Sequence, residues 1–333
     1  DARLRRASAW TGDAVGAVLA HALPPPEQSA ASIAIYDTTA GSRATLFDWE
    51  AQWYTAALPA APATILVTGA GAGLGRSHAL GLAARGARVV VNDLGVNRDG
   101  AGASAEAAEA GVAEISAMGG EAMAHGTDVA DEAGVKDMVA KAMDAWGRID
   151  IVVNNAGILR DKTFAKMEMA DFRKVVDVHL IGSANVTHAC WPIMRAQKYG
   201  RVVLTASASG LYGNFGQSNY GAAKAAMMGL MNVLHLEGAR DTIRVNTLAP
   251  TAATRMTEEL LPAEAAELLA PETITPGLLY LVSEDNGMVK VNPDNGNLGD
   301  FTRITSGGGQ NCTGAVSILS WYNSAYNYNQ GRH

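Results

Sequence analysis

The sequence predicts an α/β fold: a doubly wound parallel sheet in three layers, with one main domain over residues 63–286. Extensions at 1–62 and 287–333 flank it, and their residues suggest no role. Three observations carry this reading. Short apolar runs alternate with helical stretches from Ala63 to about Glu284, the pattern that builds a parallel sheet with helices on both faces. Several of the runs are apolar throughout, as strands covered on both sides must be. The first run ends in a glycine cluster and leads straight into a helix.

Taken in order, Thr64–Val67 is the first strand, and a helix follows to about Arg85. Ala87–Asn92 is the second strand, and Glu121–His125 a weaker third, between helices at Ala103–Met118 and Glu132–Trp146. Ile149–Val153 is the fourth, strongly apolar. Arg201–Thr205 and Ile243–Asn246 complete the core strands, with helices near 170–197 and 219–239. In the first extension, Ala31–Tyr36 and Ala44–Trp49 read as a hairpin joined by a Gly-containing loop, and an Ala/Pro-rich linker runs from Leu58 to Pro62. In the second, Phe301–Thr305 before Gly307-Gly308-Gly309 reads as the closing strand, followed by an Asn/Tyr-rich tail.

Composition narrows the function. The chain has 333 residues, 48% hydrophobic and 18% charged, enough apolar material for a core and too little charge for disorder. Its net charge is −7 with no long Lys/Arg run, which argues against a nucleic-acid partner. Cys190 and Cys312 alone support neither a disulfide framework nor a cysteine metal site, and His78, His125 and His188 lack ligand spacing, so no metal is expected. No stretch reaches the ~18 apolar residues that span a bilayer. Arg3, Arg5 and Arg6 before Ala14–Leu23 have the outline of a signal or transit sequence, while the segment's length favours a surface helix broken by Pro24-Pro25-Pro26. A start at Asp1 is compatible with a trimmed chain or a fusion. The expected compartment is cytoplasmic, with an organelle matrix as the alternative.

The strongest local signal is Thr68-Gly-Ala-Gly-Ala-Gly-Leu-Gly75 between a strand and a helix. Glycines there let the backbone turn tightly and approach a pyrophosphate seated on the helix N-terminus. Asp93 ends the next strand, 18 residues after Gly75. A carboxylate at that place accepts from ribose hydroxyls and repels a 2′-phosphate, favouring NAD over NADP, and its plainer reading is a turn residue before Leu94-Gly95. Tyr220 and Lys224, four apart, share a helix face, so a nearby ammonium would lower the phenol's pKa. Ser207 stands thirteen residues earlier, just past a strand, where a hydroxyl can hold a substrate oxygen while Tyr220 moves a proton.

Together with Asp128 and Asn154-Asn155-Ala156-Gly157, these motifs make residues 63–285 resemble the short-chain dehydrogenase/reductase family, with its Rossmann-type sheet. Longer runs resemble one of its groups, the (3R)-hydroxyacyl-CoA dehydrogenase units of peroxisomal type 2 multifunctional enzymes and their bacterial relatives. Those runs are Val91-Asn-Asp-Leu-Gly95, Asn155-Ala-Gly-Ile-Leu-Arg-Asp161, Gln197-Lys-Tyr-Gly-Arg201 and Ser207 to Gln217. The resemblance implies hydride transfer between NAD and C3 of a 3-hydroxyacyl-CoA. It makes Tyr220 the general acid/base, Lys224 its partner and a contact of the nicotinamide ribose, and Ser207 the substrate-orienting group. It assigns the dinucleotide to Gly69, Gly73, Leu74 and Gly75, to Asp93, Asp128, Val129 and Asn154, and to Thr254 in the Pro250–Arg255 segment.

Two features depart from the family. His179 stands where most members carry an Asn that supports a proton-relay water; it resembles the multifunctional group in this, and reads either as a relay or as a packed histidine bonded to backbone. The C-terminal region shares no family pattern. Met227, Met228 and Met231 read as core or interface filling, and Cys190 as a small buried hydrophobe. Alternative functions are a 17β-hydroxysteroid or other secondary-alcohol dehydrogenase, and a catalytically retired NAD-binding structural or sensor subunit. The family pairs through the two long helices, so a homodimer or homotetramer is expected, with an acyl-CoA thioester or a steroid as the small-molecule partner.

Overall fold

A computed structural model describes residues 62–250 except 103 and 105, then 252, 270–283 and five strand segments elsewhere. The Arg3–Leu23 segment, the Leu58–Ala61 part of the linker, Thr254 and the Asn/Tyr-rich tail apart from Ser317–Leu319 lie outside the described residues.

Two strands in the first extension, β1 (Ile33–Asp37) and β2 (Ser42–Phe47), pair antiparallel as the expected hairpin. The main domain then runs β3 (Thr64–Thr68), α1 (Gly73–Ala83), β4 (Arg88–Asn92), α2 (Glu106–Ala117), β5 (Glu121–His125), α3 (Glu132–Trp146) and β6 (Ile151–Asn154). It continues with α4 (Met169–Val176), α5 (Gly182–Gln197), β7 (Gly200–Thr205), α6 (Ala208–Tyr212), α7 (Ser218–Gly238), β8 (Ile243–Ala249) and α8 (Thr275–Val282). Among the described residues, six strands and a short seventh form one parallel sheet. From β5 the order is β4, β3, β6, β7 and β8, so it reverses between β3 and β6.

The strands are apolar on both sides because both sides are covered. Leu66, Val90, Val152, Val202 and Leu204 face one layer with Met138, Val186, Met194, Met227 and Met231. Ile65, Val67, Val89, Val91, Ile151 and Val153 face the other, with Leu82, Ile115 and Leu278. Cys190 is fully buried in the first layer, where burial pushes its thiol up to about 12.

Three expectations need correction. The fourth strand begins at Ile151, not Ile149. The Gln197 side chain takes both backbone groups of Ile149, accepting from its N–H (3.0 Å) and donating to its carbonyl (2.7 Å), so that residue has left the strand ladder. The helix expected near 170–197 runs on without a gap but widens between α4 and α5 into a π turn at Asp177–Ile181. The closing strand is not Phe301–Thr305: only β10 (Arg303–Ile304) forms there, and it pairs antiparallel with β9 (Met288–Val289) in a separate sheet. The edge beside β8 is taken by β11 (Ser317–Leu319), parallel to it. Val316–Leu319 carries no charge, whereas Arg303 in a covered strand would need carbonyl partners of the kind that hold buried Arg201 in β7, those of Gly200 (2.9 Å) and Thr242 (3.0 Å).

Replacing Gln197 with Ala strands both Ile149 groups and should cost about 1–3 kcal/mol, measured by urea unfolding. An unchanged midpoint would show that this amide does not anchor the strand end.

Candidate active site

The carboxyl ends of β3 and β6 lie side by side where the strand order reverses, the place at which open parallel sheets bind ligands. They are stitched together beyond the sheet. The Thr68 hydroxyl accepts from the N–H groups of Asn155 and Ala156, both at 3.0 Å, and the Asn155 amide donates to the carbonyls of Thr68 (3.0 Å) and Gly69 (3.1 Å). The glycine turn fits into this seam with no room to spare. Gly69 has φ +63°, and a Cβ on Gly75 would sit 2.0 Å from the Gly69 carbonyl oxygen. A Cβ on Gly71 would lie 2.6 Å from Ala107 Cβ. Asp93 fixes the turn from the other side: Oδ2 accepts from Gly71 N–H (2.8 Å) and Oδ1 from Gly95 N–H (2.7 Å). Asp93 therefore organises a turn, its plainer reading, and also lines the cleft. The N-terminus of α1 opens onto the same cleft with no acidic side chain in its first turn, as an anionic pyrophosphate requires.

The cleft measures about 220 Å³, and the expected Gly69, Gly73, Leu74, Asp93, Asp128 and Val129 all line it. Asp128 is held by Lys174, whose ammonium donates to Oδ2 at 3.1 Å, and its Oδ1 accepts from Ala130 N–H at 2.9 Å. Gly75 lies beneath the lining, against Gly69. The Asn154 side chain is not brought to the cleft: it is buried, donates to the Thr187 hydroxyl at 2.9 Å, and leaves Oδ1 without a partner. Its neighbour Asn155 lines the cleft instead. These cradled glycines, the paired N–H groups and the carboxylate fit a dinucleotide.

Ser207 follows β7 in extended backbone and caps α6, its Oγ accepting from Ser209 N–H at 3.2 Å. Tyr220 and Lys224 occupy successive turns of α7, and Tyr220 is hydrogen-bonded to Ser207. The serine, tyrosine and lysine thus meet as expected. The electrostatics differ from expectation. The Lys224 ammonium is buried, donates to the Thr205 carbonyl at 2.5 Å and lies 5.6 Å from the Tyr220 ring centroid. Burial brings its own pKa down to about 7. Burial raises Tyr220 above the ordinary phenol range; the Ser207 hydrogen bond opposes this and the Asp161 carboxylate adds to it. The expected lowering of the phenol by Lys224 is not what this geometry does, because desolvation acts on both groups and disfavours the charged form of each.

His179 sits in the π turn, buried, with Nε2 2.9 Å from the Ile158 carbonyl and 3.2 Å from its N–H. Its ring stands edge-on to Tyr220, centroids 5.1 Å apart at 84°. It fills the space that a side chain on Gly157 would need, since a Cβ there would lie 2.3 Å from its Cε1. Burial first, then the Lys224 charge, lower its pKa to about 3, with the Ile158 hydrogen bond opposing. Nε2 is thus bonded to backbone, as in the packed reading, while Nδ1 is buried without a hydrogen-bond partner.

Several residues at this site escaped the sequence. Thr68 opens the glycine motif, but nothing in its pattern marks the hydroxyl as the acceptor that joins β3 to the end of β6. Asn219 is fully buried, its amide donating to the Arg160 carbonyl (2.9 Å) and its Oδ1 accepting from Tyr220 N–H (2.8 Å). Asp161 accepts from the Gln217 amide at 2.8 Å. Arg160 and Asp161 stand in a run that the resemblance had marked, which was the one available signal.

The sequence profile of the short chain dehydrogenase family matches residues 63–265. A Mycobacterium tuberculosis protein named as a short-chain type dehydrogenase/reductase is 53% identical over 230 residues, covering 68% of this chain and 80% of that one. The peroxisomal multifunctional enzyme type 2 of Mus musculus is 52% identical over 220 residues, 66% of this chain but 30% of the mouse enzyme. Among solved structures, a 7α-hydroxysteroid dehydrogenase complexed with NADH and 7-oxo glycochenodeoxycholic acid superposes with a TM-score of 0.61 at 29% identity, covering 69% of this chain and 90% of that one.

Gly75→Ala should abolish dinucleotide retention while the rest of the sheet still folds, read by fluorescence titration and circular dichroism; retained binding would mean the turn has slack. Stability should also fall between about pH 6.5 and 3. His78 and His179, both held near 3 by burial, bind protons only when unfolded in that window, each contributing a slope of up to about 1.4 kcal/mol per unit. The half-buried His235 adds a smaller share. His179→Asn should flatten the slope above about pH 5.5, where free carboxylates are almost fully ionised, in urea midpoints taken across pH; an unaltered slope would show that His179 is charged in the fold.

Proposed function

The chain belongs to the short chain dehydrogenase family, and from that premise we propose that it oxidises (3R)-hydroxyacyl-CoA thioesters to 3-oxoacyl-CoA with NAD. As a family member it is an oxidoreductase that uses a nicotinamide cofactor. The observation that carries the reading is the hydrogen-bonded Ser207–Tyr220 pair at the carboxyl end of the sheet, next to a cleft whose wall includes the Asp93 carboxylate. The substrate class rests on the identity of about half the residues with the dehydrogenase-bearing multifunctional enzymes. A preference for NAD rests on Asp93, which would repel a 2′-phosphate.

A dinucleotide held by Gly69, Gly73, Leu74, Asp93 and Asp128 would supply the acceptor for the carbinol hydride. The protein's part is to place and deprotonate the alcohol. Ser207 holds the substrate oxygen and Tyr220 exchanges its proton. Because Tyr220 stays a phenol at neutral pH, it is ready as the acid for carbonyl reduction, and it becomes the base for alcohol oxidation only as pH rises. Lys224, tied to Thr205, keeps the first turns of α7 against the end of β7. Two copies would pair through α4, α5 and α7, where Ile181, Val233 and Leu236 are exposed, as a homodimer or homotetramer. Among the described residues no helix is long and apolar enough to cross a membrane. The peroxisomal relatives accord with an organelle matrix, and a cytoplasmic place is the other reading.

Initial rates with NAD and NADP on (3R)- and (3S)-hydroxyacyl-CoA and a 17β-hydroxysteroid test this. Turnover is expected with the (3R) thioester and NAD, rising with pH for oxidation and not for reduction. Preference for the steroid would move the assignment to a hydroxysteroid dehydrogenase, and tight NAD binding without turnover to a structural subunit. Tyr220→Phe should lower kcat by about 10²–10⁴-fold with NAD affinity kept; full turnover by that variant would remove Tyr220 from the chemistry.

A further inference from the structure

The loop after β4, residues 94–102, folds across the mouth of the dinucleotide cleft. Its base closes where Ser104 N–H donates to the Leu94 carbonyl at 3.0 Å. Its tip is a turn in which Asn97 N–H donates to the Ala101 carbonyl (2.8 Å) and Gly100 N–H to that of Asn97 (2.9 Å). Val96, Asn97, Arg98, Gly100 and Gly102 line the cleft from this loop. The tip is fastened on the far side, to the segment that follows β6. Leu159 N–H donates to the Arg98 carbonyl at 2.9 Å, and Arg160 Nε to the Asp99 carbonyl at 2.8 Å.

Arg160 also reaches the opposite way. Its Nη1 donates to Asp171 Oδ1 at 2.8 Å, which anchors the guanidinium to α4. Its backbone carbonyl accepts from the fully buried Asn219, whose Oδ1 holds the N–H of Tyr220 in the first turn of α7. Two residues, Arg160 and Asn219, therefore separate the roof of the cofactor cleft from the backbone of the candidate acid/base.

We propose that Arg160 is a positioning residue that ties the loop over the dinucleotide to the helix carrying Tyr220, so that filling the cleft steadies the acid/base. This rests on the reading of the cleft as a dinucleotide site and adds an order to it: the cofactor sets Tyr220 before substrate is turned over. A bond from a loop carbonyl through a planar, two-pronged guanidinium to a carboxylate transmits displacement because neither partner can turn alone. The linkage is reciprocal, so loosening the tie weakens dinucleotide binding as well.

The test uses the full chain and Arg160→Met, which removes both side-chain bonds and leaves the carbonyl for Asn219. NAD affinity is measured by fluorescence titration, kcat at saturating NAD, and amide hydrogen exchange of the 214–224 region with and without NAD. The wild type should show NAD-dependent protection of that region. The variant should lose it, bind NAD about tenfold more weakly, as the loss of a charge-assisted hydrogen bond implies, and turn over more slowly. Protection that persists in Arg160→Met, or weaker binding with kcat at saturation unchanged, overturns the tie. Should that variant fail to fold, Asp171→Asn loosens the anchor more gently and must shift the same three readouts in the same direction; no shift overturns the proposal equally. A wild type that binds no dinucleotide sinks the reading of the cleft itself. Binding without turnover leaves the hydrogen-exchange arm to decide the tie independently of the substrate.

Discussion

The hydroxyl of Thr68 holds two N–H groups that have just left the sheet at the end of β6, while the Asn155 amide holds two carbonyls leaving β3. Four hydrogen bonds thereby replace the ladder that ends there, and no water is needed to satisfy the backbone at the bottom of the cleft. The rest follows from how close this brings the two strand ends. Gly69 packs against Ala156, and Gly75 packs under Gly69, so the N-terminus of α1 is presented to the cleft at a fixed distance. Asp93 then reaches Gly71 from the neighbouring strand and closes the cleft wall. A wider seam would leave these N–H groups aimed at nothing.

The acid/base end is built on the opposite economy. Lys224, His179 and Asn154 are buried polar groups, two of them with an atom lacking a partner. Burial costs a polar group several kcal/mol when it is left unpaired, so such groups persist in a core only where surrounding packing over-determines them. Here the core strands on either side supply that packing. The result is a neutral imidazole and a weakly basic amine around a phenol that keeps its proton.

Much of this was legible in the residues. Strands covered on both faces announce themselves as unbroken apolar runs, and a four-residue spacing fixes Tyr220 and Lys224 on one helix face whatever the tertiary context. Adjacent Asn154 and Asn155 could not be told apart, because alternate strand residues point to opposite layers and the phase of that alternation is set only when the helices dock. The Gln197 clamp on Ile149 and the Arg160–Asn219 link use backbone carbonyls and N–H groups, which every residue carries, so no pattern marks them. The π turn was hidden for the same reason: Asp177 to Ile181 suits an α-helix as well as it suits a wider turn. The end of the sheet was misplaced because composition near Gly307 suggests a turn without saying which run it serves.

That π turn amounts to one residue too many in an otherwise regular helix. A wider turn takes up that extra residue locally, so trimming one position there would let the helix close into regular α turns with little rotation of what lies downstream. Thr187, Val186 and Cys190 would keep their places, and the change would fall on the turn itself, where the imidazole is held over Gly157. A deletion in the regular turns of α5 has no such outlet and would swing the residues beyond it by roughly 100°.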